Sequence, residues 1–279
     1  MAPPVGIEPT TQRLTVACSA TELQGNTRGI INNTKQFDNR SVTLRRMSQT
    51  VSIIIPCYNE KNTLKDIVLG VQNSPISLKK EIIVIDDGSS QDTKNWILSE
   101  ISPLISKFIN IPQNRGKGYA IRQGLSAATG DIVIIQDADL EYHPNDFPKL
   151  LEPILNGQGK VVYGSRFSKQ GSTQNKGYRI NFFGNKILTW LCNLITGYAL
   201  TDMETGYKVM HKSVYSQLKL NENRFGIEPE ITVKLSNHNI TIIEVPISYT
   251  PRGYEEGKKI KWRDGIFAIL CMLKYKIKK

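Results

Sequence analysis

From residue 51 onward the chain alternates between two hydropathy patterns: short, continuous β-branched runs, and longer stretches with apolar positions every three or four residues. VSIII (51–55), EIIVID (81–86), DIVIIQ (131–136) and KVVYGS (160–165) are runs typical of strands buried on both faces. Ser106 to Ile111 is a weaker one. Between them, Glu60 to Gln72 places Leu64, Ile67, Val68 and Val71 on one stripe, with Asn59 as the predicted N-cap. Asp92 is expected to cap a helix running to about Ile101. Gly116 to Ala128 reads as a helix closed by Gly130, and Pro144 to Leu155 as another. Strands alternating with helices of this length imply right-handed βαβ units. The expected fold class is therefore α/β, a mixed and mostly parallel sheet flanked by helices in a single domain.

The last third is less regular. Residues 178–200 carry Phe182, Phe183, Ile187, Leu188, Trp190, Leu191, Leu194 and Ile195 around Arg179 and Lys186, which predicts one or two amphipathic helices. GYKVMHKSV (206–214) follows, then a helix near Glu228 to Leu235, a strand in TIIEVPISY (241–249) and a terminal helix from about Trp262. Residues 1–49 show no sustained period and are rich in Thr, Asn, Arg and Gln, as a disordered extension would be. They lack the apolar core of a secretory signal. Met47 stands where ordered patterning begins and is the expected natural start. The organisation read from the sequence is thus an extension over 1–49, a single α/β domain over 50–260, and a basic amphipathic helix or tail over 261–279.

Charge changes this picture in one respect. The chain has 279 residues and a net charge of +11, and residues 251–279 hold nine Lys/Arg against three Asp/Glu, so the excess collects at one end. A basic balance suits nucleic acid, anionic lipid or phosphorylated substrates. Lysines gathered in a tail, without interleaved aromatics, speak against a nucleic-acid module. The longest clean apolar run, Gly265 to Leu273, is too short to span a bilayer. Cys18, Cys57, Cys192 and Cys271 are widely spaced, with no CxxC pair and no nearby histidine cluster, which argues against a disulfide framework or a zinc site.

The chemistry gathers where strands end. Pro56–Glu60 follows the first strand, Asp86–Ser89 the second, and Asp137–Ala138–Asp139 the fourth. In open α/β sheets ligands bind at these carboxyl ends. Each is also a cheap place for a solvated turn. Together on one edge, however, the carboxylates require a cation or hydrogen-bond donors. Asp137 and Asp139, with Glu141 two residues on, form an oxygen-only donor set suited to Mg²⁺ or Mn²⁺ with positions left for phosphate oxygens.

VSIIIPCYNE, EIIVIDDGSSQDT, NRGKGYAIRQG, DIVIIQDADLEYHP and VVYGSRF, in that order and spacing, resemble the family 2 inverting glycosyltransferases of the GT-A fold. The nearest likeness is to the dolichol-phosphate mannosyltransferase and polyprenyl-phosphate glucosyltransferase subgroup, over roughly residues 51–260. The resemblance implies a GT-A-type, Rossmann-like sheet and a metal-dependent hexosyltransferase. The donor would be a GDP- or UDP-hexose (mannose or glucose) and the acceptor a polyprenyl phosphate. It implies that Pro56, Tyr58 and Glu60 flank base and ribose, and that Ile85 and Asp87 contact the base. Asp137 and Asp139 would grip the metal and diphosphate, with Ala138 between them lining the donor. Glu141 falls where relatives place a further metal ligand, often glutamine. Arg166 and Arg179 would meet the acceptor phosphate, and Arg252 and Lys258 would close over the donor from a basic loop.

This assignment is chemically coherent. A phosphate monoester has its second pKa at about 6 and is already ionised at neutral pH, so no general base is required and positioning suffices. None of His143, His211 and His238 falls at an expected site. The enzyme is expected at the cytoplasmic face of a membrane, in peripheral contact through residues 178–200 and the tail KYKIKK. Three other readings stand beside it: transfer to a saccharide acceptor, a sugar-phosphate nucleotidyltransferase, and a non-enzymatic basic membrane- or nucleic-acid-binding module. The nucleotidyltransferase reading lacks its Gly-rich loop after the first strand, where PCYNE stands instead. A Rossmann oxidoreductase is disfavoured because Gly116–Lys117–Gly118 is not a GxGxxG.

Overall fold

The computed structural model describes residues 49–167, 179–251 and 262–278. The expected extension and part of the tail lie outside that set. Seven strands form one sheet: β1 (Thr50–Cys57), β2 (Lys79–Asp87), β3 (Lys107–Ile111), β4 (Ile132–Ile135), β5 (Val161–Ser165), β6 (Lys208–His211) and β7 (Ile242–Pro246). Their spatial order is β3-β2-β1-β4-β6-β5-β7. β1, β2, β3 and β4 pair in parallel. β6 runs antiparallel to both β4 and β5, and β7 is parallel to β5. This is the mixed, mostly parallel sheet that the alternation predicts. Only the reversed β6 was not foreseeable from the pattern.

The β-branched runs are strands because both faces of the sheet are covered. One face of β1, with Ile53 and Ile55, joins Leu64, Ile67, Val68 and Val71 of α1 (Leu64–Asn73) in one core cluster. The opposite face, with Ile54, Ile83 and Ile85, packs on Ile121 and Leu125 of α3 (Lys117–Ala127). α2 (Gln91–Trp96), α4 (Phe147–Leu155), α5 (Arg179–Thr196), the single turn α6 (Lys212–Tyr215), α7 (Ile227–Asn237) and α8 (Trp262–Ile277) complete the described helices.

Two predicted caps are displaced. Asn59 does not cap a helix; it sits at φ 55° in the left-handed region, and α1 starts only at Leu64. Its backbone N–H donates to Ser89 Oγ (2.8 Å), and its side-chain oxygen accepts from the Ser90 N–H (2.9 Å). Asn59 thus ties the loop after β1 to the loop after β2, a use of asparagine that helical periodicity cannot reveal. Ser90, rather than Asp92, caps α2, accepting from the Thr93 N–H. His143 and His211 also serve short helical turns, each accepting a backbone N–H two residues on.

A buried carboxylate staples the opposite end of the sheet from the loops just described. Glu81 on β2 accepts from Ser52 Oγ, from Thr129 N (2.9 Å) and Thr129 Oγ1 (2.8 Å), and pairs with Lys107 (2.8 Å). Burial opposes its charge, but these donors outweigh burial and pull the carboxyl down to about 2. A depressed acid stabilises the fold fully above its ordinary value of 4.5, and that contribution fades as pH falls from there towards 2. Glu81→Gln is therefore expected to lower the melting temperature at pH 7 and to flatten its decline between pH 5 and 3. Parallel thermal melts of both proteins across that range check this; identical slopes would contradict it.

Candidate active site

The topology places the strand-end residues together. The carboxyl ends of β1 to β5 and β7, and the start of the reversed β6, all lie at one edge of the sheet. Strand order reverses where β1 stands between β2 and β4, the position at which open α/β sheets form a ligand crevice. Asp87, Asp137, Asp139, Arg166 and the 202–208 segment therefore share one edge, although 121 positions separate its extremes in sequence, Asp87 and Lys208.

Asp87 is buried and already engaged. Its oxygens accept from Asn114 Nδ2 (3.0 Å), Arg115 N (2.9 Å) and Gly116 N (2.7 Å). These bonds shape the turn into α3. Gly116 adopts φ 101°, and any Cβ there would run into Asn223 and Arg224. The turn delivers Lys117, first residue of α3, to the centre of the edge. Its ammonium lies 2.8 Å from Asp137 Oδ1 and 3.0 Å from Glu228 Oε1. Burial disfavours the ammonium, yet the two carboxylates outweigh burial and hold its pKa well above the ordinary lysine value. Lys117 read from sequence as a residue at a helix start; the fold makes it the counter-ion of the acidic pair.

Arg166 follows β5 and is 6% exposed. Its Nε and Nη2 donate to the two oxygens of Asp202 at 2.7 Å each, and its own backbone N–H donates to the same carboxylate (3.0 Å). The guanidinium also stands over the rings of Phe167 (5.1 Å) and Tyr249 (5.3 Å). Asp202 is held in turn by Glu244, whose carboxylate accepts from Thr201 N and Asp202 N. Just beyond, Gly206 lies flat against Asp137, and a Cβ at that position would collide with the Asp137 carboxylate. Lys208, fully buried at the start of β6, donates to the carbonyls of Met203 (3.0 Å) and Thr205 (2.7 Å). Burial pushes its pKa down to about 8, against the pull of Glu228 and Glu204. Burial and the neighbouring Glu228 push the Glu204 carboxyl up to about 8.

The remaining expected residues fall as follows. Pro56 and Tyr58 are half-buried at the end of β1, and Glu60 accepts from Thr63 Oγ1 (3.2 Å). The Ile85 side chain is fully buried in the core, against the α3 backbone at Gly124, so it has no free surface for a base. Ala138 is buried between its two aspartates. Asp139 Oδ1 accepts from the Glu141 N–H (3.2 Å), and Glu141 Oε2 accepts from Tyr249 OH (3.1 Å). Arg179 opens α5 with its side chain outside the described set; Arg252 and Lys258 also lie outside the described residues. Sequence reasoning missed Asp202, Glu204 and Glu228 as members of the edge. TDMETGYK and GIEPE stand next to no strand end readable from the pattern.

The donor set is oxygen-only and fits a hard divalent ion held by one or two carboxylates and completed by phosphate oxygens. Among the described residues no group of three or more His, Cys, Asp or Glu side chains converges as a metal cage. Asp137, Asp139 and Glu141 are thus not gathered round one point, because Asp137 turns to Lys117 and Glu141 to Tyr249.

Away from the edge, α5 packs on the core through Thr189 and Cys192 and lies beside α8. Its other side exposes Phe183, Ile187, Trp190 and Leu194, a stripe spaced by four, three and four. α8 exposes Ile266, Phe267, Leu270, Leu273 and Ile277. Of the twelve large apolar side chains exposed among the described residues, these two helices hold nine. No described helix is long and apolar enough to cross a membrane. Cys57, Cys192 and Cys271 are buried.

Comparison with known proteins agrees with this architecture. Residues 52–219 match the profile of Glycosyl transferase family 2. The chain is 33% identical over 211 residues to a dolichol-phosphate mannosyltransferase of Pyrococcus furiosus, covering 75% of this chain and 58% of that protein. It therefore spans about three fifths of the mannosyltransferase's length. A UDP-N-acetylglucosamine–dolichyl-phosphate N-acetylglucosaminyltransferase of Methanococcus voltae is 31% identical over 245 residues, covering 80% of this chain and 96% of that one. Among solved structures, glucosyl-3-phosphoglycerate synthase of Mycobacterium tuberculosis, in complex with Mn²⁺, UDP and glucosyl-3-phosphoglycerate, superposes with a TM-score of 0.65. It is 20% identical, and the match covers 84% of this chain and 82% of that one.

Proposed function

The chain belongs to glycosyl transferase family 2, and from that premise we propose that it moves a hexose, mannose or glucose, from a nucleoside-diphosphate sugar to a polyprenyl phosphate. The observation that carries this reading is the convergence of Asp137, Asp139, Lys117 and the buried Arg166 on one sheet edge at the strand-order reversal. The two relatives, whose names give a dolichyl-phosphate acceptor, support the choice of acceptor.

In this reading Asp137 and Asp139 hold Mg²⁺ or Mn²⁺ against the diphosphate. The ion would neutralise charge developing on the leaving nucleoside diphosphate. Pro56, Tyr58, Glu60 and the Asp87-anchored turn border the base and ribose. Lys117 adds a second cation beside Asp137 that needs no proton transfer to act. Arg166, oriented by Asp202, and Arg179 present the acceptor phosphate, already ionised at neutral pH. Arg252 and Lys258 close from the 252–258 segment. A transfer assay pairing UDP-glucose, GDP-mannose and UDP-GlcNAc with polyprenyl phosphate tests this. One donor should label butanol-extractable lipid, and chelation should abolish the labelling. Label found only in free sugar or in a soluble saccharide would overturn the lipid acceptor.

The acceptor's location completes the reading. The exposed stripes of α5 and α8, flanked by Lys274, Lys276 and Lys278, have the composition of a face that rests in a lipid interface. Each cation near an anionic leaflet adds about 1 kcal/mol. We place the protein at the cytoplasmic leaflet in peripheral contact. Trp190→Ser with Phe267→Ser is expected to cut flotation with anionic liposomes about tenfold or more without changing the melting temperature, because both side chains are more than half exposed. Undiminished flotation would remove this face from membrane contact.

A further inference from the structure

Two carboxyl oxygens at the sheet edge have no hydrogen-bond partner, although both side chains offset the charge of the buried Lys208. Glu228, in the first turn of α7, is 5% exposed; its Oε1 meets Lys117, while its Oε2 is sealed from solvent and has no hydrogen-bond partner. Glu204, in the segment between α5 and β6, likewise has a sealed Oε1 without a partner. A buried acceptor lacking a donor is costly, so a pair of them in one neighbourhood points to a ligand that brings donors.

Their place restricts that ligand. One ammonium, Lys117, spans Glu228 (3.0 Å) and Asp137 (2.8 Å), so Glu228 flanks the carboxylate assigned to the diphosphate. Glu204 is two residues from Gly206, whose backbone lies against that same aspartate. The diphosphate and the acceptor phosphate are anions that the Lys117-paired Glu228 carboxylate would repel, and both are acceptors, not donors. The base belongs at the far loops after β1 and β2. What remains next to the diphosphate is the sugar bonded to it, which is neutral and rich in hydroxyl donors.

Resting on the transferase reading, we infer that Glu204 and Glu228 receive hydroxyl groups of the donor's sugar and confine the donor to a neutral sugar, rejecting a uronate. Glu228 does this while keeping Lys117 aimed at the diphosphate; Glu204 touches neither Lys117 nor the aspartate pair, which makes it the cleaner probe. The test is titration calorimetry of the full chain with Mn²⁺. The ligands are UDP, UDP-glucose and UDP-glucuronate, or GDP, GDP-mannose and GDP-mannuronate if guanine is the base bound. Wild type should bind the neutral sugar at least about tenfold tighter than the uronate. Glu204→Gln should leave the bare diphosphate within about twofold, weaken the neutral sugar nucleotide about tenfold, and narrow its margin over the uronate. Glu228→Gln should narrow the same margin. Variants that bind all three ligands as wild type does, or that lose diphosphate and sugar nucleotide in equal proportion, overturn the subsite. A wild-type chain that binds none of them fails the transferase reading itself, and the subsite with it.

Discussion

Asp139→Ala is expected to reduce sugar transfer by about 10³-fold or more while leaving the melting temperature within a degree or two of wild type. The side chain is half-buried in a turn, and its Oδ1 accepts the Glu141 N–H two residues on, so its removal disturbs little packing. Its loss instead removes an oxygen assigned to the ion and diphosphate. Asp137→Ala should differ in kind. Asp137 is one of two anions holding the half-buried Lys117 charged, and its loss leaves that ammonium with Glu228 alone. That variant should lose activity to a similar degree and also melt measurably lower. Paired measurement of turnover and thermal unfolding separates the two roles. Equal stability losses, or an Asp139→Ala protein retaining a tenth of its activity, would contradict the assignment.

Asp202→Ala carries the largest expected stability effect. The carboxylate is fully buried and accepts three hydrogen bonds from Arg166, which is itself 6% exposed. Removing one member of a buried ion pair leaves the other charge without compensation and costs about 3–5 kcal/mol. For a domain of this size that corresponds to a melting temperature lower by about 10 °C. Asp202→Leu combined with Arg166→Met should recover much of this loss, because an apolar pair of similar volume needs no desolvation of charge. The double variant should remain inactive, since Arg166 is the guanidinium proposed for the acceptor phosphate. A folded, active double variant would remove Arg166 from the mechanism; an Asp202→Ala protein as stable as wild type would show that the pair is solvated.

The edge-strand chemistry bears on the second reading of the basic charge. Lysines that matter here are not a diffuse field. Lys117 is half-buried between two carboxylates, Lys208 is fully buried near Glu228 and Glu204, and Lys107 closes on Glu81. Residues 251–279 hold +6 of the net +11, and Lys274 and Lys276 of that segment lie on α8 with its exposed apolar side chains. Charge and apolar exposure therefore coincide on one element, which net charge alone does not reveal.

Much of this was written locally. A continuous Val/Ile run is stable only between two covered faces, and a stripe spaced by three and four only as a helix against a core. The order of elements, the four central strands and the acidic residues at their tips could thus be read from the chain alone. The sequence also determined that Asp137 and Asp139 leave one strand together, because DIVIIQ fixes where that strand ends. Periodicity carries no information about partners far apart in the chain. That Lys117 neutralises Asp137 and Glu228, that Asp202 clamps Arg166, and that Asn59 bridges two loops instead of capping a helix depend on which strand tips become neighbours. That is settled by the sheet order and by the one reversed strand, β6, which brings the 202–208 segment to the shared edge. The same holds for α5, whose residues are apolar on both sides: only packing against α7 and α8 decided which stripe was buried and which was left facing outward.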